Sequence, residues 1–177
     1  MSFAPSRQLG FLELKRDGVR FVEELLIEAD RIDLSLEDFE MDHICYRVSS
    51  LDQYSRICNI LLEGSQRLIE APVNGRLITT FKLTLPIKAA GREIFVIEVP
   101  QPKPGVPYDD GFEHAEFVVN IPLAELMRQY SEVTFDTSAC AKPTNPEVRI
   151  LLSSGKSLKF HNMSLEHIIK KEIASQL

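Results

Sequence analysis

The sequence predicts an α+β protein built from two similar β-α-β-β-β modules, and three observations lead to this prediction. A motif of acidic residue, histidine and alternating strand occurs twice, at Asp42-His43 and at Glu113-His114, 71 residues apart. Each motif runs into a predicted helix that is followed by three β-like stretches. Four prolines within eight residues, 100–107, separate the halves and cannot lie inside a sheet. The repeat indicates an internal duplication.

The first module is predicted to span residues 41–100. Its helix opens at Ser50, with Gln53 three positions later as a capping box, and closes at Gly64. Three alternating stretches follow the helix, with the sequences SQRLIEA, LITTFKLTLPI and REIFVIEVP. The pattern predicts four strands and one helix.

The second module is predicted to span residues 113–162, after a proline-rich linker at residues 101–112. Its helix opens at Asn120, with Pro122 in the first turn, where the missing N–H costs little. The three stretches that follow are EVTFDTS, EVRILLS and KSLKFHN. This module is therefore expected to have four strands as well.

Helical segments are predicted at both ends of the chain. Residues 1–40 form an N-terminal arm that reads as one broken amphipathic helix, or two short ones, near Gly18. Residues 163–177 read as a final helix with Asn162 or Ser164 as its cap. The N-terminal arm is expected to pack outside the sheet, and the final helix to face inward with Leu165, Ile168 and Ile169.

Composition restricts the class of protein. The chain has 177 residues, of which 44% are hydrophobic and 26% charged, as in an ordinary globular protein. The N-terminus lacks a signal-peptide pattern, and no run approaches the roughly 20 apolar residues of a membrane span. The three cysteines form no C-x-x-C pair. We therefore expect a soluble cytoplasmic protein with reduced thiols and no membrane partner.

Charge argues against a nucleic-acid partner. The net charge is −6, and residues 1–40 hold 5 Lys or Arg against 10 Asp or Glu. Proteins that bind nucleic acid need a basic face to neutralise phosphates, and the sequence has no basic cluster beyond the Lys170-Lys171 pair. A small molecule is the expected partner, and a homodimer is left open.

The duplicated modules, with a histidine near the start of each and Glu98 on the last strand of the first, resemble the vicinal oxygen chelate superfamily. That superfamily includes glyoxalase I and the extradiol dioxygenases. The acidic arm before DHICYRV, together with IFVIEVPQPKPG and FEHAEFVV, makes nearly the whole chain similar to the bacterial YecM-like family. The superfamily resemblance implies a cup-shaped, partly open eight-stranded barrel whose first and last strands carry metal ligands. The YecM-like resemblance implies no particular reaction.

The implied ligand positions correspond to His43 and Glu98 in the first module, and to His114 and a residue of LKFHN in the second. His114 and His161 are 47 residues apart, against 55 for His43 and Glu98, which favours His161 as the fourth ligand. Strand alternation leaves Lys159 as the alternative occupant. Imidazole and carboxylate ligands suit one divalent transition metal, Zn, Ni, Fe or Mn.

A structural alternative exists for each candidate. His43 and His114 could be core histidines that hydrogen-bond a neighbouring carboxylate such as Asp42 or Glu113. Glu116 shares a strand face with His114, and it is either a general base or a partner that orients a histidine.

Arg47 shares a strand face with His43 and is a candidate for binding an anionic group of the substrate, although a structural ion pair is the favoured interpretation. The leading functional hypothesis is a metal-dependent isomerase, lyase or dioxygenase that chelates a small oxygen-rich substrate. The competing hypothesis is a non-catalytic small-molecule or metal-binding protein of the same fold. A third is an interaction protein that works through its acidic arm.

Overall fold

The computed structural model describes residues 10–175, which form one mixed seven-stranded sheet and four helices. The helices are α1 (Phe11–Asp30), α2 (Leu51–Leu62), α3 (Leu123–Gln129) and α4 (Leu165–Ser175). The strands are β1 (Glu40–Arg47), β2 (Ser65–Val73), β3 (Arg76–Ala89), β4 (Arg92–Pro100), β5 (Gly111–Val118), β6 (Glu147–Leu151) and β7 (Ser157–His161). No helix in this part of the chain is long and apolar enough to cross a membrane.

The sheet joins the two halves of the chain through their first strands. The strand order is β2-β3-β4-β1-β5-β7-β6, and β1 and β5 pair antiparallel at the centre. Within each half the first strand pairs in parallel with the last, β1 with β4 and β5 with β7. Parallel neighbours need a long crossover connection, which includes α2 in one half and α3 in the other. The arrangement confirms an α+β fold with two related halves.

The second half has one strand fewer than predicted. The segment EVTFDTS lies in an irregular connection, residues 130–146, and it keeps one isolated bridge between Asp136 and Arg149. Two backbone hydrogen bonds of 2.7 and 3.0 Å close this bridge. Pro143 and Pro146 follow shortly and lack the N–H groups that a longer ladder would need. Residues 10–175 therefore contain seven strands rather than the eight expected.

Helix α1 is continuous over 20 residues, so the predicted break at Gly18 is wrong. A Cβ atom at Gly18 would lie 2.7 Å from Cδ1 of Ile87, so the glycine permits close contact between the helix and the sheet. The buried face of α1 includes Leu14, Phe21, Val22 and Leu25. Gly18 thus allows α1 to pack closely against the sheet and does not interrupt the helix.

The observed N-termini of helices α2, α3 and α4 agree with the predicted ones to different degrees. The Oγ of Ser50 accepts a hydrogen bond from Gln53 N at 3.1 Å and caps α2, as the sequence predicts. Helix α3 begins later than predicted, at Leu123, with Pro122 as its N-cap residue. At α4 the Ser164 hydroxyl accepts from His167 N at 3.3 Å.

One apolar core lies between the helices and one face of the sheet. It contains residues of both halves, including the fully buried Ile44, Phe117 and Phe160. Along β7, Leu158 and Phe160 belong to this core, whereas Lys159 and His161 alternate onto the other face. That other face carries the candidate functional residues.

Candidate metal site

A β-bulge places Asp42 and His43 side by side. Met41 pairs with Phe117, but His43 pairs with Glu116, so Asp42 is an extra residue on β1. Asp42 and His43 are both buried, at 8% and 2% relative exposure. The bulge thus brings two consecutive polar side chains to the same site.

A second bulge repeats this arrangement on β5. Cys45 pairs with His114 and Tyr46 pairs with Phe112, so Glu113 is the extra residue. Glu113 and His114 both line the cavity on the polar face of the sheet. Each copy of the repeated sequence motif therefore forms a β-bulge.

Each bulge carboxylate contacts the Nδ1 atom of the histidine that follows it. Asp42 Oδ2 lies 2.9 Å from His43 Nδ1, and Glu113 Oε2 forms a short contact with His114 Nδ1. These are the contacts that the core-histidine alternative predicted. The same contacts orient metal-binding histidines, because a carboxylate at Nδ1 leaves Nε2 to face the ligand.

The Nε2 atoms of both histidines point to Glu116. Oε1 of Glu116 lies 3.1 Å from His114 Nε2 and 3.5 Å from His43 Nε2. The Lys159 ammonium donates to the same oxygen at 2.8 Å, and His161 Nε2 lies 3.4 Å from the other oxygen. Glu116 therefore points into the cluster. Both predicted roles of this residue, as a general base and as a partner that orients a histidine, require this orientation.

Four side chains can offer donor atoms to one ion. One donor atom from each of His43, Glu98, His114 and Glu116 lies within 4.8 Å of all the others. Two imidazole nitrogens and two carboxylate oxygens are a donor set that Zn, Ni, Fe and Mn accept. The predicted residues His43, Glu98 and His114 thus come together, and Glu116 joins them.

The cluster holds an excess of negative charge. Burial opposes protonation of His43, but the charge of Glu116 and the hydrogen bond to Asp42 raise its pKa to about 10. The pKa of His114 is also raised well above its usual value despite burial. Burial would raise the pKa of Glu116, yet His43 and Lys159 hold it well below its usual value. The negative charge that raises these pKa values would also stabilise a bound divalent cation.

Strand register identifies the counterpart of Glu98 in the second half. Cys45 and Glu116 each follow the histidine of their motif by two residues. Cys45 pairs with Glu98 in the β1–β4 ladder, and Glu116 pairs with Lys159 in the β5–β7 ladder. The register therefore favours Lys159, rather than His161, as the residue that corresponds to Glu98.

His161 is buried beside the cluster with both ring nitrogens unpaired. The residue has 0% exposure, and neither nitrogen has a hydrogen-bond partner in residues 10–175. Its Nε2 lies 3.6 Å from Asp42 Oδ2, and His161 groups with Asp42 and His43 as a second set of potential ligands. Buried polar atoms are seldom left unpaired, so this position suits a bound ion or water.

The cluster borders a cavity of about 450 Å³, which is large enough for a small molecule. Arg47 lines the cavity, with its guanidinium 5.0 Å from the centre of the Tyr108 ring. Its Nε lies 3.5 Å from Glu113 Oε2, so the ion pair of the structural alternative is present while the side chain still borders the cavity.

Sequence reasoning missed that Asp42 and Glu113 are bulge residues, although a signal exists. The core residues of β1 are Met41, Ile44 and Tyr46, and those of β5 are Phe112, Ala115 and Phe117. In each strand the apolar spacing is three and then two, and the longer step contains the acid-histidine pair. Strict alternation has a spacing of two, so an interrupted period indicates the extra residue.

Comparisons with known proteins agree with this fold. A family model described as YecM protein matches residues 11–157. Protein YecM of Escherichia coli is 24% identical over 177 residues, covering 90% of this chain and 93% of that protein. An uncharacterized protein of Haemophilus influenzae is 31% identical over 106 residues, but the match covers 60% of this chain and only 56% of that protein.

Solved structures show the same architecture. The structural genomics protein EC4020 has a TM-score of 0.76 at 25% identity, and the match covers 97% of this chain and 98% of that one. Hypothetical protein BH1468 of Bacillus halodurans has a TM-score of 0.52 at 14% identity, covering 72% and 96% of the two chains. The second likeness concerns the fold alone.

Proposed function

The chain belongs to the YecM protein family, and we propose that it is a metal-dependent enzyme of the vicinal oxygen chelate type. Its substrate is a small oxygen-rich molecule that binds through two adjacent oxygens, and isomerase, lyase and dioxygenase chemistry all fit the site. One observation carries the proposal: two imidazoles anchored at Nδ1 converge with two carboxylates beside a cavity.

The proposed ligands are His43, Glu98, His114 and Glu116. A bound divalent ion would act as a Lewis acid on the substrate oxygens. The bulge carboxylates hold the two imidazole rings in place, and Lys159 holds Glu116.

The surroundings of Glu116 support a ligand role over a role as general base. Oε1 of Glu116 already accepts a hydrogen bond from the Lys159 ammonium at 2.8 Å, which leaves this oxygen poorly placed to take a proton from a substrate. Its oxygens face the imidazoles of the proposed ligands. We therefore assign the carboxylate to charge compensation of the ion.

The second candidate function is a non-catalytic metal or small-molecule binding protein. Four protein donors would saturate a tetrahedral ion such as Zn²⁺, which is typical of structural sites. A six-coordinate ion would instead keep two positions open, enough for two adjacent substrate oxygens. Coordination number therefore separates the two functions.

Cobalt substitution tests the proposal. Protein purified without chelator or affinity tag is analysed for metal, then stripped and reloaded with Co²⁺, whose visible spectrum reports coordination geometry. We expect about one ion per chain, and a spectral change when acetohydroxamate, a ligand with two adjacent oxygens, is added. A tetrahedral spectrum that does not respond supports the non-catalytic candidate. Failure to bind Zn, Ni, Fe, Mn or Co contradicts the metal site itself.

A further inference from the structure

We propose that Arg47, Arg76 and Lys103 form a subsite for an oxyanion group of the substrate, either a carboxylate or a phosphate or phosphonate. The inference rests on the proposed function, because the same small molecule would reach the metal ligands through its other oxygens. All three cations line the cavity that the metal cluster borders.

The lining of the cavity is more cationic than the chain as a whole. Six Lys or Arg residues line it against five Asp or Glu, although the chain carries a net charge of −6. The basic residues are Arg47, Arg76, Lys103, Lys142, Arg149 and Lys159. A divalent ion on the cluster would add further positive charge. Such a cavity attracts anions and excludes cationic molecules.

Three of these cations have a carboxylate oxygen within about 3.0 Å. The pairs are Lys159 with Glu116 at 2.8 Å, Lys142 with Glu147 at 3.0 Å and Arg149 with Asp136 at 2.9 Å. All three cations belong to the second half of the chain, two on β6 and β7 and one in the connection that precedes β6. Their charge is compensated within the protein.

The other three cations are less compensated, since Arg47 has only the longer ion pair with Glu113, and Arg76 and Lys103 have none in the described part of the chain. Within residues 10–175, no carboxylate oxygen lies within 4.0 Å of the Arg76 guanidinium or the Lys103 ammonium. Arg76 donates from Nη1 to the Gln101 carbonyl at 2.8 Å, which leaves its other N–H groups available. Arg47 approaches Glu113 only to 3.5 Å. The uncompensated charge is therefore concentrated on one side of the cavity.

The proline-rich linker holds these groups in place. The Tyr108 ring lies under the Arg47 guanidinium, and its hydroxyl accepts from the backbone N–H of Lys103 at 2.6 Å. Gln101 N donates to the Leu77 carbonyl on β3 at 2.9 Å, and the Gln101 side-chain Oε1 accepts from Leu77 N at 3.2 Å. The predicted spacer thus contributes Lys103 to the cavity, which Arg47 of β1 and Arg76 of β3 also line.

Guanidinium groups suit an oxyanion for a geometric reason. Their planar donors match two oxygens of a carboxylate or phosphate at once, and a guanidinium stacked on an aromatic ring is already oriented. Glu113, which Arg47 approaches, also contacts the proposed ligand His114. The oxyanion and the chelating oxygens must therefore be close together in one compact molecule.

Anion titration of the metal-free chain tests the subsite. Chelator-treated full-length protein is titrated with inorganic phosphate and, in a second series, with acetate at constant ionic strength, and binding is followed by NMR. We expect Arg76→Gln and Lys103→Gln each to weaken binding of the preferred anion by about tenfold, the effect of losing a charge-assisted hydrogen bond. Preference for phosphate or for acetate identifies the oxyanion class.

Lys142→Gln and Arg149→Gln are matched controls, because they remove cations from the same cavity that already have carboxylate partners. These variants should change anion affinity by less than about twofold. Equal affinity in all four variants, anion binding only to metal-loaded protein, or no binding at all overturns the subsite. Metal stoichiometry, measured on the same preparations, reports on the proposed function separately, since none of the four residues is a proposed ligand.

Discussion

The two halves of the chain share the acid-histidine bulge and differ in the strands that follow it. In the first half β2, β3 and β4 have 9, 14 and 9 residues. In the second half β6 and β7 have five residues each, and residues 130–146 form an irregular connection that lines the cavity. The paired strands β1 and β5 carry the repeated feature, so the site depends on them more than on the outer strands.

The halves also differ in where they place a carboxylate. The first half has Cys45 on its first strand and Glu98 opposite it on its last, whereas the second has Glu116 and Lys159 at the corresponding positions. The carboxylate therefore lies on the last strand in the first half and on the first strand in the second half. Two imidazoles and two carboxylates still meet, because β1 and β5 are neighbours in the sheet.

The largest expected effect follows from removing either histidine. His43→Ala and His114→Ala should each lower metal affinity by more than about 100-fold, beyond the range for a residue that only orients a ligand. Competition with a coloured chelator measures the affinity, and circular dichroism checks the fold. His167→Ala, an exposed position on α4, is the control. Loss in one variant alone would show that the halves do not share the ion.

Substitutions at Glu116 and Cys45 test whether these corresponding positions differ in function between the two halves. Glu116→Gln should weaken metal binding nearly as much as loss of a histidine, because the neutral amide cannot compensate the ion's charge. Cys45→Ser, at the corresponding position of the first half, should change affinity by less than about threefold. A Glu116→Gln protein that keeps its metal and loses only turnover would make Glu116 the base after all.

The bulge carboxylates should have a smaller and equal effect in the two halves. Asp42→Asn and Glu113→Gln each weaken the contact at a histidine Nδ1, so metal affinity should fall by about 10- to 100-fold. Asp136→Asn is a suitable control, since that carboxylate lines the same cavity but pairs with Arg149. A loss of metal affinity in only one of these two variants would contradict the equivalent role inferred for the two bulge carboxylates.

Among the three histidines of the cluster, the smallest effect is expected at His161. Its Nε2 faces the second oxygen of Glu116 rather than the two ligand imidazoles, so His161→Leu should lower metal affinity by less than about tenfold. Neither ring nitrogen has a hydrogen bond to lose, so the melting temperature should fall little. Loss of metal comparable to that of His43→Ala would instead place His161 among the ligands.

The local pattern of the sequence was sufficient for much of the fold and for part of the site. The acid-histidine repeat, the Ser50 cap and the period of two along β7 are properties of a few neighbouring residues, and each predicted its element. His43 and His114 could be selected because a repeat marks corresponding positions, and Glu98 because the resemblance to the vicinal oxygen chelate superfamily implies a ligand on the last strand. Gly18 misled the prediction, since the sequence does not show that a helix must approach Ile87 closely at that residue.

Only the tertiary structure decided the register, the missing strand and the role of the linker. Residue spacing suggested His161 as the counterpart of Glu98, but spacing includes connections of different length and does not fix which residues pair across strands. Ladder hydrogen bonds fix the pairing, and they place Lys159 opposite Glu116. The linker likewise contributes Lys103 to the cavity, and Tyr108 and Gln101 attach the linker to Arg47 and Leu77, which are distant in sequence. Such contacts depend on how the whole chain folds, so local pattern alone cannot determine them.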